Sequence, residues 1–237
     1  MTVLSDRLMS KASFRRLRER FGDPLLTTLT IMLALLLFVI APLQASGVRG
    51  AHFFGILFGF VLVAAVFVIS GSRLAVAATA LALILSVVTS SLRAHHQSIV
   101  DVYLEAASWL VAGLTLLIVV ARAVFAPGLI TFHRIIGAVL LYLDVGLIFA
   151  ALYGFLALAK PQAFAGLPPM LDNLSVGTNV VYFSFVTLTS VGYGDIAPVH
   201  PLARSLANVE AIIGQLYPAT LLARLVTLEL AHRIDKK

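Results

Sequence analysis

Between Thr187 and Asp195 the chain reads Thr-Leu-Thr-Ser-Val-Gly-Tyr-Gly-Asp, a polar, glycine-bearing segment set between two long apolar runs. Gly192 and Gly194 alternate with Val191 and Tyr193, and glycine reaches φ/ψ values that are closed to other residues. A backbone using those values at every second position turns successive carbonyl groups to the same side. The chemistry open to such a row is coordination, because inward carbonyl oxygens can replace the water shell of a cation. The plainer alternative is a glycine-rich loop that does no more than turn the chain.

Other chemistries have little to work with. The 237 residues contain no cysteine, which excludes disulfides, thiolate metal sites and cysteine nucleophiles while leaving the compartment undecided. His52, His95, His96, His133, His200 and His232 mostly fall near the ends of apolar runs, with no spacing that pairs them as haem or metal ligands. No nucleophile, base and orienting group converge in the sequence, so no enzyme is expected.

The elements that must position the segment are apolar. With 60% hydrophobic and 12% charged residues and a mean hydropathy of +1.02, the composition is that of an integral membrane protein. The net charge of +6 gathers in the first twenty residues and at the ends of the apolar runs, which points to a membrane surface and not to nucleic acid. Six runs reach the roughly 20 residues that a helix needs to cross a bilayer: Pro24 to Leu43, Gly50 to Ser70, Arg73 to Leu92, Val100 to Val124, Thr131 to Leu158 and Leu202 to Leu230. Short connections at Gln44 to Arg49 and Gly71-Ser72 make neighbours antiparallel, and Gly55 and Gly59 form a small-xxx-small face for close packing. The stretch Tyr182 to Leu188 is too short to span and reads as a half-membrane helix entering and leaving on one side. The expected fold class is therefore all-α, six transmembrane helices plus a re-entrant helix and loop.

Charge orients the plan. With a cytoplasmic N-terminus, thirteen Lys and Arg face inward, while Arg49, Arg93, Lys160 and Arg204 face outward, which obeys the positive-inside rule and places Gly194 and Asp195 at the outer face. Both termini are then cytoplasmic. The basic segment 1–23, with Phe14, Leu17 and Phe21 at helical spacing, has two readings: an amphipathic helix on anionic lipid, or a basic tail that only sets topology. Pro24 to Leu43 is a retained first helix, since it is long and no small-x-small cleavage site follows it.

Ser190-Val191-Gly192-Tyr193-Gly194 resembles the selectivity filter of potassium channels, usually Thr-Val-Gly-Tyr-Gly, and nine consecutive positions from Thr187 to Asp195 follow that family's pattern. The resemblance runs from Arg134 to about Val226. It implies a potassium-selective channel with no organic cofactor, in which K⁺ is held at Ser190, Val191, Gly192 and Tyr193, with Thr189 at the inner mouth and Gly194 completing the row. A single strand cannot surround an ion, so a homotetramer is implied. Tyr182 stands where relatives carry a tryptophan and would bond Asp195. Phe183 has no donor for the Tyr193 hydroxyl, leaving Thr187 as its expected partner. The first four helices match the six-helix plan only in number and length. The fourth holds one arginine, Arg122, where a voltage sensor needs a series. The filter and last helix are closer to the small bacterial channels and the two-pore-domain relatives, although this chain holds one pore loop and not two, and the resemblance implies a bacterial inner membrane.

The resulting division is 1–23 basic segment, 24–125 four-helix membrane domain without a voltage sensor, 126–230 pore domain and 231–237 tail. With seven residues after Leu230, no cytoplasmic nucleotide- or calcium-binding domain is expected. In the last run, Pro218 cannot bond the Gly214 carbonyl, so Gly214 to Pro218 is the weakest turn and a candidate hinge, nineteen residues after Asp195 as in the family. Gln215, Pro218 and Leu222 share one face and would line the cavity below the filter. Asp144 and Glu210 are acids within apolar runs, candidates either for pH sensing or for hydrogen bonds to a neighbouring helix. A weakly selective cation channel and a six-helix secondary transporter are the alternative functions, although the inverted repeats of a transporter are missing.

Overall fold

Inside a bilayer no water is available to the backbone, and a helix satisfies every N–H and C=O within its own segment. The computed structural model describes residues 23–46, 51–93, 99–126, 131–168 and 174–234, and within them all six apolar runs are helical. Helix α1 covers 23–45 with a π-helical turn at Leu36–Ile40. It is followed by α2 (Ala51–Ser70), α3 (Arg73–Arg93), α4 (Ile99–Val124), α5 (Phe132–Ala159), α6 (Leu174–Leu188) and α7 (Pro201–Ile234). Two short strands, β1 (Phe164–Ala165) and β2 (Ala197–Pro198), pair antiparallel with Phe164 opposite Pro198 and Ala165 opposite Ala197.

Among the described residues, three helices are long and apolar enough to cross a membrane by themselves: Asp23–Leu43, Val100–Val124 and Phe132–Ala159. In α2 and α3 the apolar stretch is shorter, Phe54–Ser70 and Arg73–Thr89. In α7 it is interrupted by Arg204, Glu210 and Arg224. Helix α6, expected as a half-membrane helix, is longer than the sequence indicated. It starts at Leu174 and not at Tyr182, because Gly177 and Asn179 lower its hydropathy without breaking it. At 15 residues it is about 22 Å long, still short of a hydrocarbon core of roughly 30 Å.

The chain forms two compact units, one up to Ile148 and the other from Phe149, so the division falls inside α5. In the first unit, Leu26, Leu29 and Leu33 of α1 are buried at helical spacing. The Thr131 hydroxyl donates to Asp23 Oδ2 at 2.8 Å, Thr27 Oγ1 lies 2.8 Å from His133 Nδ1, and the Thr30 hydroxyl donates to the Ile136 carbonyl at 3.2 Å. Gly71 (φ 61°) ends α2 in the left-handed conformation, and the Ser72 hydroxyl accepts the Ala75 N–H at the start of α3, which makes the expected tight hairpin. Large apolar side chains such as Phe60, Leu74, Leu81 and Phe132 point outward. That pattern suits lipid as the surrounding solvent, and the chain is a membrane protein.

The basic segment 1–22 and the last three residues of the tail lie outside the described residues.

The two glycines of α2 are not equivalent. A Cβ at Gly59 would come within 2.2 Å of Leu83 Cδ1 on α3, whereas one at Gly55 would meet nothing within 4 Å. Gly59→Val is expected to destabilise the helix pair by about 1–3 kcal/mol through overpacking, and Gly55→Ala to be neutral or slightly stabilising. Thermal unfolding in detergent checks this; equal midpoints for the two variants would remove the packing role of Gly59.

Candidate functional site

Helix α6 ends where its backbone changes hand. Ser190 has φ 58°, Gly192 60° and Gly194 81°, while Val191 and Tyr193 between them do not have positive φ. The glycines accept this without strain, whereas Ser190 carries a side chain in a region crowded for L residues. The N–H groups of this turn fold back onto α6: Thr189 donates to Phe185 O at 3.0 Å, Ser190 to Thr187 O at 2.9 Å, and Val191 and Gly192 both to Val186 O, at 3.0 and 3.3 Å. The alternation read from the glycine spacing is thus present and extends one residue earlier, to Ser190. The whole segment Thr189 to Asp195 is exposed on the single chain, with Tyr193 71% and Val191 52% accessible.

The expected supports divide. Tyr182 has its hydroxyl in the electrostatic neighbourhood of the Asp195 carboxylate, and its ring stacks on Tyr193 with centroids 6.5 Å apart and planes 5° from parallel. For Thr187, expected to partner the Tyr193 hydroxyl, the structure shows a local bond. Its hydroxyl donates to the Phe183 carbonyl at 2.8 Å, one turn back in its own helix, which is the local bond a helical threonine most readily makes. Phe183 faces away from the filter altogether. It is buried in an aromatic cluster, 4.8 Å from Tyr153 and 5.4 Å from Phe164 between ring centroids.

Behind the segment, α6 and α7 meet backbone to backbone. A Cβ at Gly214 would lie 1.8 Å from the Leu188 carbonyl oxygen, so close packing alone demands glycine there, whatever bending the turn permits. Helix α7 runs unbroken through Pro218. Gln215, Pro218 and Leu222 are exposed, and Gln215 Nε2 donates to Ser190 Oγ at 2.9 Å. Ser190, Ala211, Ile212, Gln215 and Leu216 line an open groove of about 350 Å³.

Four features of the site were read only in part in the sequence or not at all. Glu210, fully buried, accepts hydrogen bonds from the Tyr153 hydroxyl at 2.6 Å and from the Ser184 hydroxyl, joining α5, α6 and α7. Glu210 was visible as an acid in an apolar run, but its donors lie 57 and 26 positions away with no local signal. The β1–β2 pair ties the segment after α5 to the segment after the filter, reinforced by Val199 and His200 N–H groups donating to Ala163 O. Gly166 (φ 78°) is required there, because a Cβ would meet the Asp195 carbonyl oxygen at 1.9 Å. Last, His200 caps α7, its Nδ1 accepting the Leu202 N–H at 3.2 Å with Pro201 in the first helical position. Asp144, the other acid singled out, lies in the first unit beside Gly113, buried, with no hydrogen bond to either carboxylate oxygen among the described residues.

Comparison with known proteins bears on this half of the chain. Residues 139–229 match the family model described as "Ion channel". Two curated proteins, both named "Protein LctB", are similar over part of their length. The one from Bacillus caldotenax is 37% identical over 87 residues, 36% of this chain and 64% of the relative. The one from Geobacillus stearothermophilus is 39% identical over 67 residues, 28% of this chain and 46% of the relative. The chain therefore spans under two thirds of the length of these relatives. The family match contains α6, the alternating segment and most of α7, and it supports an ion channel.

Removing the Glu210 carboxylate takes away the acceptor to which both the Tyr153 and Ser184 hydroxyls donate across helices. Glu210→Ala is expected to cost about 2–5 kcal/mol, with Glu210→Gln intermediate because one amide oxygen still accepts, and Tyr153→Phe the mildest. Thermal unfolding of the purified protein checks the order, and a Glu210→Ala variant as stable as the parent would show that the cluster holds nothing.

Proposed function

We propose that the protein is a potassium-selective ion channel of the cell membrane, conducting K⁺ down its gradient as a homotetramer whose subunits each cross the membrane six times with both termini cytoplasmic. The observation that carries the reading is the alternation of hand at Ser190, Gly192 and Gly194 within Ser-Val-Gly-Tyr-Gly. Such a backbone sends its N–H groups to α6 and leaves its carbonyls for a cation. Carbonyls of Ser190, Val191, Gly192 and Tyr193 from four copies would ring each ion, with Thr189 and the Ser190 hydroxyl at the inner mouth. The exposure of the segment on one chain supports this, since a lone strand gives a cation ligands on one side only. The C-terminal end of α6, which carries partial negative charge, lies at the inner mouth and favours a cation there. Asp195 and Tyr182 brace the outer end, and the basic N-terminal segment would lie on anionic lipid.

A weakly selective cation pore is the second reading. It is favoured by Ser190 in place of the commoner threonine and by Phe183, which offers the Tyr193 hydroxyl no hydrogen-bonding group.

Reconstitution into planar bilayers separates these. Under bi-ionic K⁺ and Na⁺ the reversal potential is expected to shift by about 59 mV for each tenfold preference for K⁺, and at least one such step is expected; a reversal near zero supports the second reading. Uptake of K⁺ by vesicles without any coupled ion excludes a transporter. Native mass measurement in nanodiscs is expected to give four subunits, and a stable monomer or dimer would sink the tetramer.

A further inference from the structure

Among the described residues, Ser190 is the one non-glycine position with a left-handed backbone. Local bonds hold its N–H, but its side chain is held from far along the chain: Gln215 Nε2 reaches Ser190 Oγ at 2.9 Å across 25 positions. Gln215 directly follows Gly214, and the close approach that Gly214 permits between α7 and Leu188 is what brings the amide within reach. Of the five residues lining the groove, Ser190 and Gln215 are the polar ones; Ala211, Ile212 and Leu216 are apolar. The two polar groups of that surface are therefore spent on each other.

A serine hydroxyl offers one donor and two lone pairs. An amide N–H on the oxygen takes one lone pair and fixes the rotor, which leaves less of the oxygen for any cation beside it. We propose that Gln215 is a positioning residue for the innermost cation site: its amide holds the Ser190 side chain and competes with the cation for the Ser190 oxygen. The inference rests on the pore reading above, and the ligand it concerns is a dehydrated monovalent or divalent cation of K⁺ size. Since the amide rides on α7, the position of that helix and occupancy of the site are coupled, and coupling acts both ways. A displacement of α7 that breaks the bond frees the oxygen for the cation, and a cation that captures the oxygen loosens the helix.

The probe is Ba²⁺, a divalent ion close to K⁺ in size, applied to the groove side of channels in planar bilayers. Gln215→Met keeps the side-chain length and removes the donor. It is expected to tighten Ba²⁺ block about three- to tenfold, the equivalent of one ordinary hydrogen bond. Gln215→Glu, which cannot donate and adds negative charge, is expected to tighten it further and carries the comparison should the methionine variant fail to assemble. In a Ser190→Ala background neither substitution at 215 is expected to act through the lost oxygen, so Gln215→Met should add nothing there. Unchanged or weaker block in Gln215→Met, or effects that simply add in the double variant, would overturn the proposal. A parent protein that passes no K⁺ overturns the pore reading and this inference together; a selective parent with unresponsive variants overturns this inference alone.

Discussion

Helices α6 and α7 touch backbone to backbone where Gly214 meets the Leu188 carbonyl, and much of the second unit follows from that contact. In a bilayer, apolar side chains gain little by leaving lipid for one another, so helices hold together through small residues that permit close approach and through shared polar groups. Ala203, Glu210 and Gly214 fall at i, i+7 and i+11 on α7 and are all buried, forming one stripe that is narrow in side chain. With the stripe seated, Glu210 arrives between the Tyr153 and Ser184 hydroxyls one turn from Gly214, and Gln215 arrives at Ser190 one residue beyond it. A side chain at 214 would lift all of these contacts at once.

The seating also explains how a strand can keep its carbonyls free. Four successive N–H groups, Thr189 to Gly192, are turned back onto carbonyls near the end of α6. Alternating hand at 190, 192 and 194 accompanies this return of the donors to the helix. Only the glycines do this without strain. Ser190 is held in its conformation by neighbours, which is how strained residues persist in proteins generally. On the outer side the strand is fixed differently, by the stack of Tyr182 on Tyr193 and by the β1–β2 pair that clamps Gly166 under the Asp195 carbonyl.

Much of this was legible in the sequence where the signal is local. The apolar runs give the helices, Gly71-Ser72 gives the hairpin, and the glycine spacing gives the alternation at 192 and 194, because each depends on residues within a few positions of one another. Tyr182 and Asp195 were also readable, being fixed by a motif thirteen residues apart. What was not legible was long-range or directional. Nothing local in the sequence shows that Phe183 packs against Tyr153 and Phe164, or that the Thr187 hydroxyl donates to the carbonyl four residues back. The β1–β2 pair joins two-residue strands on either side of α6, too short to leave any period. Gly214 was read as a flexible point from its backbone freedom, while its space is dictated by Leu188, a residue 26 positions earlier.

The two membrane acids make the same point about what determines a role. Asp144 and Glu210 have equal standing as carboxyls in apolar runs, and both are buried. Glu210 has two hydroxyl donors from two other helices, so it acts as a joint, and its solvation is supplied by the protein itself. Asp144 has none among the described residues, and Gly113 leaves space for its Oδ1 where any side chain would press on it. A buried acceptor joins helices only when its donors come from more than one of them. By that criterion the second unit is internally cross-linked through Glu210, whereas the first relies on the small-residue contacts at Gly59, Gly113 and Gly137 and on the Thr131–Asp23 and Thr27–His133 bonds at the helix ends. The hydrogen-bonded joint between three helices accordingly lies in the unit that carries the alternating segment.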